Sequence, residues 1–476
     1  MQNNNINIYH ATLLMLFPFT WILYYLENYN ASIFSSIIIC LFIYNFSKAK
    51  FHLKQVWLSH PLRLMIPLTL IMQSLWWITF LLYSNSITFF NYEWVFDYHS
   101  NEKYIPHAYA SFLLLISVYF YSLAIFYNPK KLFINERLKI SSNKILYIIV
   151  FFILVISLFD YILVYASLSK IEFFPALNYI FKLFAKLRPL FSLVLIYFLW
   201  HKNTRLAKII LFLYLSIYLF IGFIGVNLTS MRQIIFEPII ITIIFFYTIR
   251  HKIHLNLSRL LIIASFIIVG FYVFIVASSI KFGETNIHVD DNKSIGYRSL
   301  ASFQQFIFRS TLYSADVIAL SNPASEQLLK KNGNDVLVEI ASGVPFGGIL
   351  VPKSQKTFYP IDMQFFWSYL PIGISSAYVS GTTSLWFLFG IPMAMLFIFF
   401  IGLFHGEIFQ LITTLLGTKY SWLVIFSMTS LFPFYGLQRS DLLGLPIYCL
   451  LGAFILKKFF IKKSSSNNNV INTLND

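Results

Sequence analysis

The sequence predicts an all-α integral membrane protein: a polytopic bundle of about 12 transmembrane helices with one large folded extracytoplasmic loop. Hydrophobic residues make up 58% of the 476 residues and charged residues only 11%, whereas soluble domains carry roughly a quarter charged residues. The apolar residues are gathered into uninterrupted runs such as 206–226 and 260–280. These runs do not alternate with polar residues as barrel strands do, so helices are expected.

The apolar runs define the predicted spans in order along the chain. They lie near 8–26, 31–46, 64–84, 108–127, 145–168, 187–200, 206–226, 232–249, 260–280, 384–404, 420–436 and 441–461. The predicted units are therefore a membrane bundle of nine spans over 1–280, an extracytoplasmic loop over 281–383 with amphipathic helices, and three further spans over 384–463. The remaining residues, 464–476, are rich in Asn and Ser and are expected to form a disordered cytoplasmic tail.

The basic residues orient these spans. With both termini in the cytoplasm, more than half of the 35 Lys and Arg residues fall in the inner loops and at the inner end of the last span. The net charge of +16 is thereby explained by topology, and nucleic acid is not an expected partner. Cys40 and Cys449 both fall in apolar spans, and the sequence predicts no metal site and no cofactor. The cluster of His288, Asp290 and Asp291 is interpreted as a solvated turn.

Several arginines lie where the positive-inside rule disfavours them, and such positions indicate a bound anion. Arg188 ends a basic outer segment near 170–188, and Arg232 lies at the outer mouth of a span. In the large loop, a helix over 295–320 would place Arg298, Arg309 and Asp316 on one polar stripe. The alternatives remain snorkelling to lipid phosphates for the first two and an interfacial helix facing water for the stripe.

The rest of the large loop is expected to be irregular, and a solvated loop is expected after span 384–404. Glycines and prolines make 342–360 irregular, with Lys353 among its few charges, and 365–383 is expected to be a partly buried, irregular lining. His405 and Glu407 follow the predicted end of span 384–404 and are expected in a solvated inner loop.

This layout resembles the O-antigen and capsule repeat-unit polymerases of the O-antigen polymerase–ligase superfamily. The resemblance rests on the span count, on Arg232 opening a span after LTSM, on the large late loop with a Pro-basic pair at Pro352 and Lys353, and on Gly390 near the start of the next span. It implies a bacterial inner-membrane glycosyltransferase that is independent of metal. Its substrate would be a polyprenyl-pyrophosphate-linked oligosaccharide, and membrane lipid and a chain-length regulator protein are the other partners considered.

The resemblance also implies roles for the candidate residues. Arginines would replace a cation at the pyrophosphate, because the guanidinium fork pairs with phosphate in bidentate fashion. Arg232 and Arg309 are the leading catalytic candidates, Asp316 is the candidate general base, and Arg188, Arg298 and Lys353 are candidates for binding the pyrophosphate.

Three other classes of membrane protein fit part of this pattern, and the first of them shares the architecture. An O-antigen ligase would transfer finished glycan to another lipid, but the ligases carry a His-Asn-x-x-Leu motif, which His288 in IHVDD does not match. A lipid-linked oligosaccharide flippase would have a similar number of spans with shorter loops. A metal-dependent glycosyltransferase would need an acidic pair in the first outer loop, where Glu27 is the one acidic residue.

Overall fold

The computed structural model describes residues 2–26, 138–140, 333–345, 347, 381–429 and 441–463, together with parts of 34–43, 116–124, 148–154, 187–199 and 205–217. These residues are helical apart from one short antiparallel ladder. The predicted spans at 64–84, 232–249 and 260–280, most of the loop 281–383 and the tail 464–476 lie outside the described residues.

Three of the helices that the structure describes fall on apolar runs predicted as spans, and one lies in the predicted loop. Helix α1 covers Gln2–Tyr25, α2 Gly333–Ser342, α3 Gly381–Thr429 and α4 Asp441–Ile455. A π-helical turn, Leu456–Phe460, continues α4. Two helical segments, Gly381–Gly417 and Leu442–Phe460, are long and apolar enough to cross a membrane.

Helix α3 is interrupted at two glycines. Gly390 has φ 74° and ψ 167°, and Gly417 has φ 71° and ψ 162°, a region of backbone conformation that is essentially restricted to glycine. Pro392 lies in the first turn after the Gly390 break, where a missing amide hydrogen costs nothing. The central piece, 391–416, therefore runs past the expected end at residue 404 and ends at a break beside Lys419.

Two apolar clusters hold the described helices together. The loop-side cluster joins α1, the stretch 116–124, the first half of α3 and the start of α4; it includes Leu13, Tyr119, Trp386, Ile398 and Leu442. The ladder-side cluster joins the stretches 148–154, 187–199 and 205–217 to the second half of α3 and the end of α4; it includes Leu154, Leu190, Phe409, Leu423 and Ala453.

The outer faces of these helices are also apolar. Met15 on α1 is 76% exposed, and Leu206, Phe400 and Phe454 on other helices are exposed as well. Large exposed apolar faces are unusual in soluble monomers and mark surfaces that contact lipid or another protein. A helical bundle that is apolar both inside and outside is what the composition predicts for a membrane protein.

Helix α2 belongs to the predicted loop and packs against the bundle. Val336 is fully buried against Ile340, Phe387 and Leu388, and α2 also contacts α4. After α2 the chain turns at Gly343, whose carbonyl oxygen lies so close to Gly444 that a Cβ at 444 would overlap it. The end of α2 is thus fixed to the start of α4 through backbone contact.

The ladder closes the other end of α4. Strand β1 (Leu138–Ile140) pairs antiparallel with β2 (Ile461–Lys463), and Lys139 is opposite Lys462 in the register. The π-helical turn ends where the Ile461 amide donates a hydrogen bond to the Leu456 carbonyl oxygen, and β2 begins at the same residue. Two segments that the sequence assigns to the same side of the membrane therefore lie side by side.

Candidate functional site

Arg188 is the one predicted site residue within the part of the chain that the structure describes. The other candidates, Arg232, Arg298, Arg309, Asp316 and Lys353, lie outside it, and their predicted roles stay predictions. Whether Arg232 and Arg309 lie close together therefore stays a prediction.

The Arg188 side chain lies in the interior of the helical bundle. It is 6% exposed, and Leu187 and Leu190 on the same helical stretch are 1% exposed. Pro189 between them occupies the start of the described stretch, 187–196, where proline is compatible with a first helical turn. The sequence predicts this arginine at the end of an outer basic segment, and the structure gives it a buried position.

The depth of Arg188 can be estimated from its neighbours. A Cβ at Gly452 would lie 2.7 Å from Leu190 Cδ2 and 3.7 Å from Leu187 Cδ2, so Arg188 lies beside the Gly452 level of α4. Gly452 lies in the last turn of α4, which the π-helical turn Leu456–Phe460 continues. Arg188 therefore lies beside the second half of α4, in the interior of the described bundle.

A guanidinium at this depth is costly unless it has polar partners. Ionisable residues within apolar spans are expensive to bury and usually mark a path or a site for a charged ligand. Other buried polar side chains belong to the helices of the same cluster: Ser192, Tyr214, Gln410, Thr413 and Ser421. The Tyr214 hydroxyl donates to Ser192 Oγ at 2.6 Å, so the stretch that carries Arg188 is fixed by a polar contact.

A second buried polar group is centred on His405. The Tyr121 hydroxyl donates to His405 Nδ1 at 2.7 Å, and His405 Nε2 donates to the Leu442 carbonyl oxygen at 2.8 Å. The tautomer follows from these partners, because a carbonyl oxygen accepts and cannot donate. His405 is 0% exposed and connects the stretch 116–124, α3 and α4.

The reason for the His405 contact lies four residues beyond Leu442. In a regular helix, the Leu442 carbonyl would accept a hydrogen bond from the amide of residue 446, but that residue is Pro446, which has no amide hydrogen. His405 Nε2 supplies the missing donor. Both ring nitrogens are thereby hydrogen-bonded, and His405 joins three parts of the bundle through these contacts.

The prediction that His405 and Glu407 lie in a solvated loop is wrong, whereas the side of the membrane predicted for them stays a prediction. Both residues lie in α3, and His405 is buried, whereas Glu407 is exposed on the helix surface. The error arose because the histidine and the glutamate interrupt the hydropathy of the run. The apolar residues of 408–416 and the Leu442–Pro446 spacing were the signals in the sequence that could have indicated a buried histidine.

Further polar contacts connect the same helices near the loop-side cluster. Tyr119 pairs with His10 of α1, Thr20 of α1 is 2.8 Å from Ser35, and Ser117 Oγ is 4.0 Å from Met395 Sδ. Among the residues that the structure describes, no three His, Cys, Asp or Glu side chains are grouped so that they could hold a metal ion. The polar groups in the interior of the described residues are therefore one buried guanidinium and a set of hydrogen-bonded side chains that join helices.

Comparison of the chain with protein-family models, with curated proteins and with solved structures finds no match.

Proposed function

We propose that this protein is a bacterial inner-membrane glycosyltransferase that polymerises oligosaccharide repeat units carried on polyprenyl pyrophosphate. The observation that carries the proposal is the position of Arg188, a guanidinium buried within a helical bundle whose outer faces are apolar. A lipid-linked pyrophosphate needs such a site, because its isoprenoid chain stays in lipid while its phosphates need cationic donors.

The proposed reaction transfers the growing glycan from one carrier lipid to another. A hydroxyl oxygen at the non-reducing end of the acceptor repeat unit forms a bond to the anomeric carbon of the growing chain. The bond from that carbon to the pyrophosphate oxygen breaks, and polyprenyl pyrophosphate leaves. The proton of the attacking hydroxyl passes to a general base, for which Asp316 is the candidate.

The arginines contribute by stabilising the leaving pyrophosphate. Negative charge develops on its oxygens as the bond breaks, and guanidinium groups already in position lower the barrier most. Arg232 and Arg309 are proposed for this role, with Arg188, Arg298 and Lys353 holding the phosphates in the ground state. Arginine needs no bound metal ion to do this, which is why a metal-independent reaction is proposed.

The test is a gel of surface polysaccharide from cells that lack the protein and carry one variant at a time. Arg232→Ala and Arg309→Ala are each expected to remove the long ladder and to leave a single repeat unit on its anchor. Arg188→Lys keeps the charge in the buried site but loses the planar fork, so shorter or fainter ladders are expected. Membrane levels of each variant are measured on the same samples.

Arg205→Ala is the matched control, because Arg205 is exposed on a described helix and belongs to a predicted inner loop. A full ladder is expected with this variant. Loss of every repeat, including the first, in cells lacking the protein would indicate a ligase or flippase. A normal ladder with both Arg232→Ala and Arg309→Ala at normal membrane levels would refute the pyrophosphate site.

A further inference from the structure

A basic platform lies at the ladder end of α4 and has no part in the proposed reaction. It consists of Lys457, Lys458, Lys462, Lys463 and, from a distant part of the sequence, Lys139. Strands β1 and β2 and the π-helical turn contain no acidic residue. Five lysines are therefore brought into one small region by the pairing of two segments more than three hundred residues apart.

The register of the ladder places two of these lysines directly opposite each other. Lys139 is the partner of Lys462, and Leu138 is the partner of Lys463. Opposed residues of an antiparallel pair share one face of the ladder, and like charges in such positions repel each other. The register thus brings two lysine positions to one face of a ladder of only three pairs, where an anion nearby would reduce the repulsion.

The platform is attached firmly to the bundle. Phe460 and Ile461, which separate the lysine pairs along the chain, are 3% and 7% exposed and belong to the ladder-side cluster. Lys457 and Lys458 are exposed on the π-helical turn that continues α4. The backbone that carries these lysine pairs is thus anchored through buried apolar side chains.

The position of the platform indicates which anion it meets. It lies at the C-terminal end of Leu442–Phe460, one of the two described helical segments that are long and apolar enough to cross a membrane. Phe459 is 52% exposed, and Lys458 Nζ lies 5.6 Å from the centre of its ring. An exposed aromatic ring beside an ammonium group is typical of the level at which acyl chains meet headgroups.

We propose that the basic platform binds the headgroup phosphate of anionic phospholipids in the adjoining leaflet. Lysine ammonium groups act as mobile point charges that suit a phosphodiester surrounded by other headgroups. The bound phosphate would offset the repulsion between Lys139 and Lys462, and lipid would thereby stabilise the ladder. This inference requires that α4 crosses a membrane, and it does not depend on the glycosyltransferase proposal.

The experiment measures lipid retention by the purified full-length protein with native mass spectrometry. The probes are phosphatidylglycerol and phosphatidylcholine with identical acyl chains. The wild-type protein is expected to retain phosphatidylglycerol preferentially, and Lys139→Gln combined with Lys462→Gln is expected to reduce that retention about tenfold. Lys139→Arg combined with Lys462→Arg keeps both charges and is expected to retain the lipid.

Lys202→Gln combined with Lys208→Gln is the matched control, since it removes the same charge from another predicted inner loop. Its phosphatidylglycerol retention is expected to equal that of the wild type. Equal losses in both glutamine pairs would show a general charge effect and overturn the platform. Displacement of the lipid by millimolar inorganic phosphate would mean that a soluble anion is the ligand and would also overturn it.

A second measurement does not depend on the mass spectrometer. The thermal stability of Lys462→Gln is compared with that of the wild type in nanodiscs of each lipid. In phosphatidylcholine, relief of the like-charge pair is expected to raise the melting temperature, whereas in phosphatidylglycerol the lost lipid contact is expected to lower it. The same direction of change in both lipids would contradict the proposal.

Discussion

At the scale of single residues, His405 shows how tertiary structure assigns a role that local sequence conceals. Proline within a helix leaves the carbonyl four residues earlier without its usual donor, and in an apolar environment such a group must find another partner. Pro446 creates this need at Leu442, and His405 meets it from α3. The hydrogen bond from Tyr121 then selects the histidine tautomer that can donate.

This explanation predicts that Pro446→Ala makes His405 less important. An alanine amide at 446 can bond to the Leu442 carbonyl within α4, so the carbonyl no longer depends on the histidine. His405→Leu is expected to cost about 1–3 kcal/mol in the wild-type background, where it leaves a buried acceptor without a donor. In the Pro446→Ala background, the cost is expected to fall by about 1 kcal/mol.

The measurement is a double-mutant cycle on the unfolding free energy of the purified protein. The loss of the Tyr121 contact is common to both backgrounds and therefore cancels from the coupling energy. A coupling energy of zero would mean that His405 stabilises the fold through its packing and its Tyr121 contact, and that Pro446 is not the reason for its position.

At the scale of secondary-structure elements, the long apolar runs were the features of the sequence that predicted helices correctly. They predicted helices where α1, α3 and α4 are found, because a continuous apolar run that must satisfy its own backbone can only be helical in lipid. The resemblance drew attention to Gly390, and the structure gives that glycine a conformation which divides α3. The run alone could not show that α3 continues through His405 to Gly417.

The ladder and the π-helical turn were beyond sequence-based prediction. Strands of three residues have no recognisable periodicity, and the residues that pair, 138–140 and 461–463, are remote in the chain. Helix α2 is similar, because its docking on α4 depends on a backbone contact between Gly343 and Gly444. Such contacts are determined by the packing of whole elements, which no local pattern records.

The docking of α2 yields a prediction that compares two glycines of α4. Gly444→Ala is expected to destabilise the protein by about 1–3 kcal/mol, because the new Cβ would overlap backbone that cannot move without displacing the end of α2. Gly452→Ala is expected to cost less, since its Cβ would meet the flexible end of Leu190 at 2.7 Å. Thermal unfolding of the two variants in one detergent measures the difference.

Limited proteolysis of the same samples shows where the damage lies. With Gly444→Ala, cleavage near α2 is expected to accelerate relative to the wild type, whereas Gly452→Ala is expected to leave that rate unchanged. Equal stability losses with no change in cleavage would mean that the Gly343–Gly444 contact does not hold α2 to the bundle.

At the scale of the whole molecule, two described features suit a membrane protein whose orientation stays a prediction. The exposed apolar faces match a protein surrounded by lipid, and the ladder brings together two basic segments assigned to the same side. Helix α2 and the ladder contact opposite ends of α4, so the predicted loop and the predicted inner segments are separated by the length of that helix. The side of the membrane on which each end lies stays a prediction of the charge distribution.

Labelling of single cysteines tests this orientation on intact cells. The chain has only Cys40 and Cys449, so Cys40→Ser with Cys449→Ala gives a background without thiols. In that background, Asn334→Cys, exposed at the start of α2, is expected to react with a membrane-impermeant maleimide added outside. Lys463→Cys is expected to react only after the membrane is permeabilised, because the basic end of α4 should face the cytoplasm.

The cysteine-free chain is the control for background labelling, and its recovery in the membrane fraction is the control for insertion. Labelling of position 463 but not 334 in intact cells would invert the orientation and place the large loop, with Arg298, Arg309 and Asp316, in the cytoplasm. Polymerisation at the outer face would then be impossible. Labelling of both positions from outside would mean that α4 does not cross the membrane. The proposal that the basic platform binds lipid would then fail together with the predicted orientation, since each needs the two ends of this helix on opposite sides.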